Sequence, residues 1–243
     1  TETDTETDTE TDAETDACSD LLDGGKFVAL VPFVEEGGKV MATKVGTGWD
    51  GRYYCELTAL DQKTMTMPNG QFYIRTLYPD TLTEKDQSSW KLTVAGGASP
   101  TKSYSVADLH ALSKNQGVHL MECSGNGKGG GYGLISAATW KGVAVTDLLP
   151  APNAEDKRVL ITGYDTHSTP SVNSHSTPGA SWIFTPEQLA DAFFATHMNG
   201  ALLPEDHGRP VRLLNPGWYG CCNIKWVTKM EWVADDAPAT AQM

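Results

Sequence analysis

Cys123 has the most reactive setting in this sequence. It closes the run Val118-His119-Leu120-Met121-Glu122 and opens Ser124-Gly125-Asn126-Gly127-Lys128, the start of a stretch with six glycines in the nine residues from Gly125. Such a run cannot be helical, so it predicts a loop that brings backbone N–H groups close to whatever sits there. N–H groups and the nearby Lys128 favour thiolate over thiol. A thiolate is a nucleophile and also a ligand for soft metals. One reading is a Cys–His hydrolase, with His119, His167, His175 or His207 as the base. The other is a metal site with a single protein sulfur. A second cluster lies downstream. His207, Arg209 and Arg212 fall within six residues, and Lys225 follows one strand later. Grouped Arg, His and Lys suit a phosphate, although a solvated basic edge has the same composition.

Other motifs are weaker. Gly125-x-Gly127-x-x-Gly130 matches the dinucleotide fingerprint in form, with Asp147 twenty residues beyond Gly127. That fingerprint needs a helix to begin in the loop, and Gly131 and Gly133 oppose one. No phosphate-binding G-x4-G-K-[ST] loop occurs. The five cysteines (Cys18, Cys55, Cys123, Cys221, Cys222) are odd in number and match no zinc spacing. The adjacent Cys221 and Cys222 are expected to be two buried thiols, because neighbouring residues rarely bridge. A disulfide from Cys18 or Cys55 is open.

The elements that must position these groups follow from local patterning. Phe72–Leu77 and Trp90–Val94 read as strands. Ser105 opens a helix with Asp108 in a capping box, closed by Gly117. A short strand leads into Cys123, and Arg158–Gly163 is another. Thr185, Pro186 and Gln188 cap what reads as the clearest helix, ending at Gly200, with Leu189, Ala192, Phe193 and Thr196 on one face. Val211–Leu214 and Ile224–Val233 are the last strands. Residues 21–70 carry no assignable element, and 164–181 form a polar loop where His167 and His175 are candidates for a substrate rim. Scattered strands and few helices exclude a doubly wound sheet and predict an α+β fold with mixed sheets.

The formal charge is −13, but residues 1–20 hold nine acids and no base, leaving the rest at −4. The Thr-Glu-Thr-Asp repeat of that segment has nothing to bury and is expected to be a disordered acidic linker. The domain is then expected over 21–234, with a short tail at 235–243. A nucleic-acid partner is excluded by the lack of clustered base in a body this acidic. The sequence begins at Thr1. This suggests a removed or lipidated leader, hence an exported protein, periplasmic or tethered to a membrane.

Several of these stretches together resemble a known family. Glu122-Cys123-Ser124-Gly125-Asn126, Ala138-Thr139-Trp140-Lys141-Gly142-Val143, Met198 to Gly208, Val211-Arg212, Pro216-Gly217 and Lys225-Trp226 follow the order found in the molybdopterin domain of the sulfite oxidase family. Phe72-Tyr73-Ile74-Arg75 looks like its leading strand. The resemblance implies a sulfite oxidase-type molybdopterin-binding fold and a molybdenum–molybdopterin cofactor. Cys123 would be the metal ligand. Arg75, Asp165, His207, Arg212, Asn223, Ile224 and Lys225 would hold the pterin and its phosphate. Arg75 would face the substrate, with Lys128 as a second group polarising a substrate oxygen.

The departures bear on the substrate. Where sulfite oxidases have an arginine after the Cys motif, this chain has Gly127 or Lys128, and a pocket tryptophan falls on Gly130. Residues after Trp232 supply no counterpart of the family's dimerisation domain or its active-site tyrosine, and no haem-attachment C-x-x-C-H occurs. The chain is similar to short, exported bacterial members. The expected reaction is two-electron oxygen-atom transfer on a small or exposed sulfur or nitrogen oxide, such as S-oxide reduction, on a small molecule or an oxidised protein. Sulfite oxidation is the alternative, and a metal-free scaffold of the same fold is another. A separate electron-transfer protein and a monomeric state are expected.

Overall fold

The computed structural model describes residues 43–45, 48–55, 57, 61–77, 80–82, 87–128, 132–165 and 180–237. The acidic linker 1–20, Cys18, Gly130, His167, His175 and residues 238–243 lie outside them. Thirteen strands and two short α-helices are formed by the described residues. In chain order these are β1 (Thr43–Val45), β2 (Gly48–Tyr53), β3 (Ile74–Leu77), β4 (Lys91–Ala95), β5 (Lys102–Ser105), α1 (Val106–Leu112), β6 (Lys114–Glu122), β7 (Ile135–Ala144), α2 (Val145–Leu148), β8 (Arg158–Gly163), β9 (Ser181–Phe184), β10 (Phe193–Met198), β11 (Ala201–Leu202), β12 (Arg212–Leu214) and β13 (Val227–Val233).

Three sheets result. One is β1-β2-β3. A second runs β11-β10-β7-β6, with β12 also paired to β10. The third runs β5-β4-β13-β8-β9. Only β13 with β4 is parallel; the other pairings are antiparallel. The mixed-sheet α+β expectation therefore holds.

Two expectations are corrected. Residues 185–200 are not a helix. The cap signals are real, since the Thr185 N–H donates to Gln188 Oε1 at 2.8 Å, but they support only one 3₁₀ turn over Pro186–Leu189. Phe193 and Phe194 then diverge to opposite faces of β10. Phe193 packs with Phe72, Trp140 and Met198, whereas Phe194 packs with Val143, Leu213 and Trp226. A helix would have placed only one of them inside. Burying both, at about 2–3 kcal/mol each, outweighs a cap worth about 1. Residues 21–70, read as irregular, contain β1 and β2; β1 pairs with β2, and β2 with the Arg75 strand.

The other boundaries shift for local reasons. Ser105 and Asp108 form the capping box, with Asp108 N–H to Ser105 Oγ at 3.1 Å and Ser105 N–H to Asp108 Oδ2 at 2.9 Å. α1 stops at Leu112, not Gly117; Gly117 sits at an irregularity in β6. The final strand begins at Val227, so Ile224 to Trp226 stay in a loop. Residues 235–237, read as the start of a loose tail, form a turn tied to Arg158, which bonds the Asp235 and Ala237 carbonyls.

Candidate active site

The sheets place eight of the nine residues singled out in the sequence around one cleft. Its open volume is about 860 Å³, part of it continuous with solvent. Arg75 comes from β3, Cys123 from the end of β6, and Arg212 from β12. Asp165 follows β8, and His207 belongs to the 3₁₀ turn Glu205–His207. Asn223, Ile224 and Lys225 come from the loop before β13. Lys128 is exposed and does not line the cleft. Its nearness to Cys123 in sequence does not bring it into the cleft lining.

Cys123 is held where the chain leaves β6. Its N–H donates to the Leu134 carbonyl at 2.9 Å, and its own carbonyl accepts the Asn126 N–H at 2.9 Å, closing a turn. The Gly125 N–H points back at Cys123 Sγ at 3.4 Å. Asn126 ties the loop down, donating to Glu122 Oε1 at 3.1 Å and accepting the Leu134 N–H at 3.1 Å. The sulfur is thus fixed at the cleft wall with a backbone donor toward it, the arrangement that suits a thiolate ligand. After this loop the chain enters β7, not a helix, so the dinucleotide reading fails.

The opposite wall is cationic. The Arg212 guanidinium is buried and donates to the carbonyls of His207 at 2.9 Å and Asn223 at 3.1 Å. Its Nε has no partner among the described residues. Burial brings its pKa down to about 10. Lys225 Nζ donates to the carbonyls of Thr76 and, at 2.8 Å, Asp206. Burial lowers its pKa to about 7, with Asp206 opposing and Arg212 adding to the drop. Burial likewise depresses Arg75, and Cys123 opposes that shift. These are cations removed from water, and an anion between them would restore their charge. Gly208 makes the convergence possible. It has φ 109°, and a Cβ there would lie 2.9 Å from the Arg212 Cβ and 3.2 Å from that of Lys225.

His207 is buried and stacked edge-on against Phe72, with Nε2 3.2 Å from the Asn69 carbonyl. A carbonyl only accepts, so Nε2 carries the proton and Nδ1 is the acceptor. Burial, then Arg212 and Lys225, push its pKa down to about 3. A ring this resistant to protonation is not the base of a Cys–His hydrolase. His119 is no substitute: it lies outside the cleft lining and bonds the Gln116 carbonyl at 2.7 Å.

Asn223 and Ile224 line the cleft in a different way from the cations. The Asn223 side chain is spent on its own loop, accepting the Asn215 N–H at 2.6 Å and donating to Tyr219 O at 2.9 Å and Trp218 O at 3.3 Å. Ile224 is buried in the core. Both shape the wall.

Tyr73 and Cys221 are among the lining residues that were not named from the sequence as site residues. Tyr73, beside Arg75, turns its ring into the cleft. Cys221, read as buried, is half-exposed at the lining, and Cys222 alone is buried, with the two sulfurs 3.8 Å apart. Hydrogen bonds from Cys222 and Ser124 hold the Cys221 thiol down to about 6, while the bond with Cys221 and burial push Cys222 up. Their adjacency in sequence gave no sign of which one faces the cleft. Cys55 is buried and donates to the Ile135 carbonyl at 2.9 Å.

A fixed soft donor facing buried cations, one of them with an unused N–H, fits a group with a soft metal at one end and a phosphate at the other. The fold and site are therefore those of a molybdopterin oxidoreductase of the sulfite oxidase type. Residues 79–241 match the family described as oxidoreductase molybdopterin binding domain, and the chain belongs to that family, whose cofactor is molybdenum–molybdopterin. It is similar to mitochondrial sulfite oxidase of Mus musculus, 30% identical over 67% of this chain and 32% of that one. It also resembles a Fusarium oxysporum NADPH nitrate reductase, 37% identical over 40% of this chain and 10% of that protein. In fold it is similar to the sulfane dehydrogenase SoxCD of Paracoccus pantotrophus, with TM-score 0.65 and 21% identity, covering 96% of this chain and 56% of the other. The chain spans about a third of the length of its sulfite oxidase relatives.

Proposed function

We propose that this chain catalyses two-electron oxygen-atom transfer on a small or exposed sulfur or nitrogen oxide, with reduction of an S-oxide as the reaction best matched to the cleft. When bound, the molybdenum centre supplies the two-electron redox and oxygen-atom transfer chemistry. Cys123 holds the metal. Arg212 and Lys225 would neutralise the phosphate, and His207 would help to hold the pterin. Arg75 polarises the substrate oxygen.

The observation that carries the substrate class is the count of cations turned to the reactants. Arg212 and Lys225 donate to backbone carbonyls of the wall, and Lys128 stands off the cleft. With Arg212 and Lys225 assigned to the phosphate, Arg75 is the lining cation left to the substrate among the described residues. One cation suits a neutral S- or N-oxide, whereas the sulfite dianion calls for several fixed donors. Among the described residues, no group of three or more His, Cys, Asp or Glu is placed to hold a further metal.

The test is an assay of the cofactor-loaded protein against sulfite, with an artificial acceptor, and against a panel of S- and N-oxides, with an artificial donor. The expected result is a kcat/KM for the best S- or N-oxide at least about tenfold above that for sulfite, the worth of one charge-assisted hydrogen bond. Preferential sulfite oxidation would overturn the substrate assignment.

A further inference from the structure

We propose that the phenol of Tyr73 donates a hydrogen bond to an electron-rich ligand atom, sulfur or oxygen, of the group that Cys123 holds; the assignment rests on the cofactor reading above. Tyr73 is 4% exposed, and its hydroxyl has no hydrogen-bond partner among the described residues. A buried phenol normally finds an acceptor, because leaving water without one is unfavourable. The ring has little freedom to look for one elsewhere. It stacks on Phe72 with centroids 5.5 Å apart and planes 18° from parallel, and its backbone N–H donates to Ser136 Oγ at 3.1 Å.

The position of the hydroxyl is marked by Gly220. A Cβ on that glycine would lie 2.5 Å from the Tyr73 oxygen and 3.6 Å from the Cys123 Cα. The phenol therefore sits at the Cys123 end of the cleft. It reaches that end only because residue 220 lacks a side chain. A donor fixed there, without a protein acceptor, is set to meet the anionic ligands around a metal on Cys123.

The test uses the full chain expressed with molybdenum cofactor supply, as wild type, Tyr73→Phe and Gly220→Ala. Tyr73→Phe removes one oxygen and keeps the ring. It is expected to load with the same molybdenum and pterin content, while release of cofactor to an excess of cofactor-free acceptor protein speeds about tenfold. A metal–ligand stretching band in the resonance Raman spectrum is expected to shift. A moving metal–sulfur band identifies sulfur as the acceptor, and a moving metal–oxygen band identifies oxygen. Gly220→Ala pushes the hydroxyl aside and is expected to reproduce both changes, so it carries the test if Tyr73→Phe does not fold. Unchanged release and unchanged bands in a loaded variant overturn the Tyr73 assignment alone. A wild-type chain without molybdenum overturns the cofactor reading and the assignment with it.

Discussion

Lys225 offers a direct check on the physics of the cationic wall. Burial holds its pKa at about 7 in the folded protein, against 10.5 when exposed. Between those values the unfolded chain binds more protons than the folded one, so stability of the cofactor-free protein rises with pH across that window. The group contributes its full benefit only above the unfolded pKa and loses it as pH falls toward 7. The ceiling is about 5 kcal/mol, from about 1.36 per pH unit, and the two carbonyl acceptors and partial exposure reduce it to about 2–3. Denaturant unfolding of cofactor-free protein at pH 7, 8, 9 and 10 measures it. Cys221, held down to about 6, adds a slope of the same sign below pH 9. The quantity to read is therefore the difference between wild type and Lys225→Met. The wild type should gain about 2–3 kcal/mol more than the variant from pH 7 to 10. With cofactor bound, its phosphate restores the ammonium and the difference should shrink. Equal slopes in the cofactor-free proteins would refute the claim that Lys225 is a part-buried amine whose charge awaits an anion.

Further outcomes follow from the same geometry. Gly208→Ala, at φ 109° and 2.9 Å from Arg212 Cβ, should cost about 2–3 kcal/mol in thermal or denaturant unfolding and reduce bound pterin, measured by fluorescence after oxidation. Asn223→Ala removes three hydrogen bonds that hold residues 215–223 and should cost about 2–3 kcal/mol in the same assay. Lys128→Ala should leave molybdenum content and turnover within about twofold of wild type, because an exposed lysine outside the cleft contributes little; a loss of tenfold or more would return Lys128 to the site.

Much of the site was legible because its residues carry their chemistry in their type. Cys123 beside a glycine run, and His207, Arg212 and Lys225 close in sequence, were visible before any fold. Local signals also held where local forces decide, as at the Ser105–Asp108 box. They misled where pairing decides. Thr185, Pro186 and Gln188 are sound caps, yet the segment after them is drawn into β10 by two cores on opposite sides. Sequence separation misled in both directions. Lys128, five residues from Cys123, is not in the cleft lining, whereas Arg75 and Asp165 reach it from segments distant in sequence. Which of Cys221 and Cys222 faces the cleft depends on the 3₁₀ turn Gly220–Cys222, a detail without a pattern in the residues themselves.

The central claim is that Cys123 is the protein's ligand to molybdenum while the phosphate grip lies across the cleft. X-ray absorption at the molybdenum edge, with metal and pterin counted per chain, tests it in wild type and Cys123→Ser. The account predicts about one molybdenum per wild-type chain, one fewer sulfur neighbour in the variant, most of the pterin retained, and turnover lost. An unchanged sulfur count with unchanged turnover would contradict it.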